Sequence, residues 1–562
     1  MVQHFPRLLL PLIALAACAP GARASGQPVL HAMEQELKRN VDTLRLQDYP
    51  PPYFIGYQLK EERVERVAAR AGSIVKREQT RDRALNVEVR VGSYELDNTG
   101  DKAGQGYDEL VLYQAPTDAP LDDHPGALRQ ALWLLTDQRY KEALAAYLRV
   151  KGMKVYRAED ADKQGSFTRE QPVRDIQEPP PLDFDLDRWA EVARTVSAEL
   201  SSSGIAFDSS VEIDARRETR WQVNSEGTSL LTGAVIYGIH VNAMARAEDG
   251  MILAHSFDVY RRDQASFPPV AEISALAKDM LAELDALRKA PVLEPYTGPA
   301  ILLPEATGVF FHEAVGHRLE GERQDNDEEG HTFKGQVGRQ VMPEFLSVYE
   351  DPTLREAAGA QLNGYYRYDD QAVPTSRVVL VERGVLRNFI LSRKPVEGFT
   401  ASNGHGRAQG NATPVGRMGN LIVETSAPVT RERLKAMLLE EARRQGKPYG
   451  LIVNSITGGS TNTTSYGYQA FKGAARTVFR VDATTGEETL VRGVEIVGTP
   501  LASINKIVAG DDTVGVFNGY CGAESGYVPV STVAPAMLFS EIELQRSVRT
   551  REKGQILPPP TP

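Results

Sequence analysis

The chain has 562 residues, 41% of them hydrophobic, and a formal net charge of −11. That length predicts several domains with ordinary cores, and the acidic balance speaks against nucleic-acid binding, because such proteins concentrate Lys and Arg on a phosphate-binding surface. The only cysteines are Cys18 and Cys521, which excludes a disulfide scaffold.

Residues 1–24 read as an export signal. Arg7 supplies a positive start, residues 8–17 an apolar stretch too short to anchor in a bilayer, and Ala22-Arg23-Ala24 a small-residue cut site after the Pro20-Gly21 break. Leu15-Ala16-Ala17-Cys18 reads alternatively as a lipobox, with Cys18 becoming a lipidated first residue. Either cut places the body outside the cytoplasm, in the periplasm, and membrane attachment would arise only through Cys18. The expected cut follows Ala24.

The body opens with an amphipathic helix in which Leu30, Met33, Leu37, Val41 and Leu44 recur at three- and four-residue intervals. Strands are predicted at residues 53–59 and 85–91, a loop at 97–106 and a long helix at 128–150. The charged stretch 157–187, carrying Pro179-Pro180-Pro181, reads as a surface insertion or hairpin arm. A helix over 189–200 and strands through 205–260 follow, and a helix over 270–287 closes this half. His240 and His255 lie in the strand runs and are read as structural residues. The expected class is α+β: a signal peptide (1–24), an N-terminal mixed α/β domain (25–290) and a β-rich C-terminal domain (291–562) carrying a metal-binding helix.

A strand at 296–303 leads through Pro304 into Phe310-Phe311-His312-Glu313-Ala314-Val315-Gly316-His317-Arg318-Leu319-Glu320, where two imidazoles and a carboxylate lie within six residues. Neutral imidazole is a good ligand for a divalent metal, and a neighbouring glutamate can take a proton from water that the metal activates. In H-E-x-x-H the histidines stand about 40° apart around a helix and reach one ion. Here the interval is five, which on a regular helix separates the side chains by roughly 140°. The pattern therefore predicts a one-residue π-bulge or a helix that unwinds at Gly316. The acidic loop 325–330 lacks the ligand alternation of an EF-hand and reads as a mobile solvated loop. His331 beside it is a rival third ligand.

From residue 336 on, short strands with glycine turns predominate, interrupted by a helix at 430–445. Residues 402–407, with His405 and Arg407, and also Arg417, read as loop groups for substrate contact. Cys521 sits in Asn518-Gly519-Tyr520-Cys521-Gly522, read as a glycine-flanked turn. It is either a thiolate ligand or a buried thiol packing as a small hydrophobe.

These blocks resemble the TldD/PmbA metallopeptidases, specifically the zinc-bearing TldD type. The resemblance rests on the motif at 312–320, Thr332-Phe333-Lys334-Gly335, Asp351-Pro352-Thr353, Tyr368-Asp369-Asp370, Arg417-Met418-Gly419-Asn420-Leu421, Tyr520-Cys521-Gly522 and Pro535-Ala536-Met537-Leu538. It is dense over 304–544 and loose before that, through Val223-Asn224-Ser225-Glu226-Gly227. It implies zinc held by His312, His317 and Cys521, with Glu313 as catalytic base. It also implies a dimer, either a homodimer or a heterodimer with a zinc-free relative, acting on extended, unfolded peptides bound by strand addition. The chain departs from the usual cytoplasmic member in its greater length and its export signal, so a cytoplasmic substrate is not carried over. Two other classes stay open: a cysteine hydrolase with Cys521 as nucleophile and His405 as base, and a metal-bound but inactive partner of an active relative.

Overall fold

The computed structural model describes residues 27–100, 114–154, 164–326, 328–466 and 470–547. Residues 1–26, and with them the export signal and Cys18, lie outside the described residues. The first half contains α1 (Gln27–Thr43), β1 (Pro52–Arg70), β2 (Ser73–Val91), α2 (Pro125–Lys154), β3 (Arg174–Ile176), α3 (Leu186–Ser202), β4 (Asp208–Asn224), β5 (Ser229–Arg246), β6 (Ile252–Arg261) and α4 (Val270–Lys289). Its strands form one sheet in the order β2-β1-β4-β5-β3, with β6 paired to β5. One sheet face is apolar and covered by helices. Ile55, Tyr57, Leu59 and Trp221 pack with residues of α1 and α2, and Val67, Val211, Ile213 and Ile239 pack with residues of α3 and α4.

Three expectations change here. Strands β1 and β2 each run for 19 residues, well past the expected 53–59 and 85–91. Their charged middles pair in continuous register, Glu61 with Arg83 and Glu62 with Asp82, and cross-strand ion pairs such as Arg83 to Glu61 at 2.7 Å supply what an apolar pattern would otherwise signal. The stretch read as a surface arm behaves differently over its described part. Arg174, Asp175 and Ile176 pair in parallel with Ser229, Leu230 and Leu231, so the segment adds an edge strand to the sheet. In α1, Leu30, Met33 and Leu37 are buried but Val41 is 52% exposed.

The second half contains β7 (Tyr296–Leu302), α5 (Pro304–Ala314), β8 (Leu346–Glu350), β9 (Glu356–Ala357), β10 (Ala360–Gln361), β11 (Val378–Glu382), β12 (Val385–Leu386), β13 (Gly406–Arg407), β14 (Val415–Gly416), β15 (Asn420–Thr425), α6 (Arg431–Arg444), β16 (Tyr449–Thr461), β17 (Phe471–Asp482), β18 (Glu488–Val491), β19 (Val494–Gly498), α7 (Pro500–Ile504), β20 (Ile507–Ala523) and β21 (Gly526–Arg546). Strands β21, β19, β17, β16 and β7 pair in turn, and β7 pairs back to β21, so the five close into a ring. Helix α5 starts with Pro304 at its first turn, where the missing N–H is no loss. It sets Phe310 edge-on to Phe471 and Phe539 in the core of this half. The fold is α+β, with most of the strand content in the second half.

The polar face of the first sheet packs on the second half, and a buried carboxylate, Asp370, lies in that contact. Asp370 pairs with Lys60 at 2.8 Å and Arg220 at 3.0 Å, and its Oδ2 accepts from the Ala408 N–H at 2.7 Å. Arg393 pairs with Glu226 at 2.8 Å nearby. These contacts pin the segment that runs from Arg393 to Arg417, whose last residue reaches the site described next.

Candidate metal centre

The α-helix that carries His312 ends at Ala314, and a 3-10 turn covers Gly316–Leu319. Of the two devices the five-residue interval predicts, the structure takes the unwinding at Gly316 and not the bulge. Val315, with φ −116 and ψ −56, joins the two helical geometries, and the changed winding brings the His317 ring to 5.0 Å from that of His312. Gly316 is required by packing, since a Cβ there would run into the Met418 side chain.

Cys521 approaches from the far end of the chain. Contrary to the expectation of a turn, it lies within β20, paired with Val528 of β21, and the hairpin turn follows it after Ala523. The glycines beside it lie in the strand because aromatic rings occupy the places their side chains would take: a Cβ on Gly522 would stand 2.7 Å from the Tyr527 ring. Ligand atoms of His312, His317 and Cys521 all lie within 4.8 Å of one another, the one group of this kind among the described residues. The Cys521 Sγ is 3.3 Å from His317 Nε2. Nitrogen and sulfur donors around a tetrahedral zinc would stand roughly 3.3–3.6 Å apart, so the set fits zinc. His312 Nδ1 is buried and without a hydrogen-bond partner.

The electrostatics follow from this crowding. Burial pushes the Cys521 thiol up, but His312 and His317 outweigh it and bring it down to about 4. Burial pulls His317 down, while Glu320 and Cys521 push it up to about 10. A metal would need the coordinating His317 nitrogen free of its proton. Glu313 lies beside the cluster, its Oε2 4.0 Å from His317 Nε2. Burial holds its carboxyl above the usual range, against the pull of His312 and His317. Gly459 of β16 faces it so closely that a Cβ there would stand 2.9 Å from the Glu313 Oε1. Arg318 ties this corner together, donating to the Glu313 carbonyl and to Thr461 Oγ1, both at 2.8 Å.

Other candidates fall elsewhere. His240 sits between Asp214 and Asp258, and His255 contacts Glu283 at 2.8 Å. His331 bonds the Asn326 carbonyl at 2.7 Å and lies outside the three-ligand group. The loop beside it is anchored through Glu329, which pairs with Arg323 at 2.7 Å. His405, expected on an exposed loop, is fully buried, with Nδ1 2.9 Å from the Asn403 carbonyl. Arg407 and Arg417 are buried as well. Glycine-rich sequence suggested open loops, whereas β13 and β14 are covered by the Asp370 contacts and by β20–β21. Sequence reading passed over Glu320 and Arg323 and misread Arg417. Glu320 Oε2 lies 3.2 Å from His317 Nδ1 and 2.7 Å from Arg323 Nε, and the Arg417 Nη2 donates to Cys521 Sγ at 3.2 Å. A signal for the first two existed: His317, Glu320 and Arg323 recur every third residue, the period of a 3-10 turn.

Residues 295–546 match the family described as the PmbA/TldA metallopeptidase C-terminal domain. A metalloprotease of Archaeoglobus fulgidus is 31% identical over 250 residues, 44% of this chain and 53% of that one. A zinc metalloprotease TldD homolog of Saccharolobus solfataricus is 26% identical over 253 residues, 44% of this chain and 51% of that one. The chain thus spans about half the length of these curated relatives. Among solved structures, TldE from Thermococcus kodakarensis shares the fold with a TM-score of 0.58 at 14% identity, over 92% of this chain and 100% of that one.

Proposed function

We propose, from the match of residues 295–546 to the PmbA/TldA metallopeptidase C-terminal domain, that the chain is a TldD/PmbA-type zinc peptidase with an H-E-x-x-x-H motif, cleaving peptide bonds in extended, unfolded peptides. The observation that carries this reading is the convergence of His312, His317 and Cys521, 204 residues apart between the last two, beside the Glu313 carboxylate. Zinc held there would supply Lewis acidity, polarising a carbonyl and making water a nucleophile near neutral pH. Glu313 accepts the proton of that water and returns it to the leaving amine, and a carboxyl raised by burial is suited to both transfers. A cysteine hydrolase using His405 has less support, because the Cys521 sulfur is faced by His312 and His317 while the His405 ring is turned to Asn403.

The test is zinc content. The purified chain is expected to hold one zinc per polypeptide, to lose it on Cys521→Ala, and to cleave unfolded casein by itself. Full zinc in that variant would remove Cys521 from the site, and zinc without cleavage would favour the inactive-partner reading. We further read the protein as exported and dimeric, either as a homodimer or with a zinc-free relative. Intact mass and sedimentation of the secreted protein check both: a Ser25 or lipidated Cys18 start and a dimer are expected, whereas an uncleaved Met1 start or an active monomer would count against them.

A further inference from the structure

Glu320 and Arg417 raise a question of energetics. Both are fully buried, at 1% and 0% exposure, and a buried ion pair costs several kcal/mol of desolvation per ion that mutual attraction only partly returns. An apolar pair would hold the same space as well, so stability alone is a poor account of the charges.

Their contacts supply another. Glu320 Oε2 is 3.2 Å from His317 Nδ1. A carboxylate at this position accepts, so Nδ1 carries a hydrogen and Nε2, on the side of Cys521 Sγ at 3.3 Å, is the nitrogen that would offer its lone pair to an ion. Arg417 acts on the other ligand. Its Nη2 donates to the Cys521 carbonyl at 2.8 Å and to the Sγ at 3.2 Å, while its Nη1 donates to Ser525 Oγ at 2.8 Å and to the Gly526 carbonyl at 3.1 Å, gripping the hairpin turn after the cysteine. The two side chains also face each other: Arg417 Nε lies 3.4 Å from Glu320 Oε1, an ion pair too oblique to be a hydrogen bond, and neither atom has another partner. The circuit His317, Glu320, Arg417, Cys521 thus closes on itself.

We propose that Glu320 and Arg417 form a positioning pair that couples two ligands from distant parts of the chain, Glu320 fixing the His317 tautomer and ring direction and Arg417 holding the Cys521 sulfur through a hydrogen bond. This rests on the zinc site proposed above. Arg323, which donates to Glu320 Oε2 at 2.7 Å and pairs with Glu524 of the same hairpin turn at 3.0 Å, steadies the carboxylate from the outer side.

Cobalt(II) is the probe, because its thiolate-to-metal charge-transfer band reports the sulfur directly. The parent protein is expected to bind one cobalt with that band. Glu320→Gln keeps the shape but removes the charge, and it is expected to weaken cobalt and zinc binding about 10–100-fold in chelator competition, with Glu320→Asp recovering part of the loss. Arg417→Lys keeps a positive charge but loses the fork, and it is expected to shift the band in energy at full cobalt loading. Should either variant not fold, Glu320→Met and Arg417→Gln are read in the same way. A merely structural role would lower thermal stability and leave both the affinity and the band unmoved. Affinity within twofold of the parent for the Glu320 variant, or an unshifted band for the Arg417 variant, overturns the pair. A parent that binds cobalt without a thiolate band overturns the site reading itself.

Discussion

At the scale of single residues, Glu313 and the two histidines that flank it differ in what they can be asked to do. Imidazole nitrogen and thiolate sulfur are ligands, and both kinds converge within 4.8 Å. The Glu313 carboxylate stands next to that group, 4.0 Å from His317 Nε2. Glu313→Gln therefore keeps the volume and the zinc while removing the proton acceptor. Its turnover number is expected to fall by about 10²–10⁴-fold at unchanged zinc content and thermal stability. Steady-state peptide cleavage alongside metal analysis checks this, and turnover near that of the parent would remove Glu313 from the mechanism. Arg417 shows how residue type alone misleads. An arginine in a glycine-rich segment looks available for a peptide carboxylate, yet its guanidinium is spent on Cys521, Ser525 and Gly526 inside the protein.

At the scale of elements, the site is made where α5 ends and β16 passes. The helix stops at Ala314, and Val315, at φ −116 and ψ −56, leaves the α-helical path before the 3-10 turn that carries His317, so the roughly 140° separation that an interval of five gives on a continuous helix no longer applies. Strand β16 brings Gly459 against the Glu313 side chain with room for nothing larger. Gly459→Ala is expected to push the carboxylate aside while leaving the three ligands in place. Turnover should drop by roughly tenfold to 10²-fold, the scale expected for a catalytic group displaced by up to about 1 Å, with zinc retained. Loss of zinc in this variant would show that β16 supports the ligands rather than the base.

At the scale of the whole molecule, charge buried or half-buried on the polar face of the first sheet makes stability depend on pH. His240 lies with Nδ1 2.6 Å from Asp258 and Nε2 3.1 Å from Asp214. Burial pulls its pKa down, but the two carboxylates outweigh that and push it up to about 10. In the unfolded chain it returns to about 6.5. A folded value above the unfolded one means that this stabilisation is fully present below about 6.5 and is lost as pH rises toward 10. His240→Gln should therefore cost about 2 kcal/mol at pH 6 and much less at pH 10.5. Thermal denaturation of parent and variant at both values measures the difference, and an equal loss at each pH would remove the charge from the explanation. The Asp370 contacts with Lys60 and Arg220 act at the same scale, joining the first sheet to the segment that ends in Arg417.

The amino-acid sequence determined what is local. It carried the helix at 128–150 through apolar periodicity, that at 270–287 through its Ala and Leu content, a further helix at 430–445, and the metal motif through residue type and spacing. It also showed that a five-residue interval needs either a π-bulge or a helix that unwinds at Gly316, and the structure decided for the second. Periodicity reports one apolar face, so it could not follow β1 and β2 through stretches where cross-strand ion pairs replace apolar contacts. Tertiary structure alone decided that Cys521 lies in a strand facing His317, that His405 and Arg417 are buried, and that Glu320 and Arg417 stand between two ligands. The pairings of Cys521 with His317 and with Arg417 span 204 and 104 residues, and the burial of His405 rests on Tyr366 and Glu350, whereas a linear pattern encodes only the near neighbours that a helix or a strand brings onto one face.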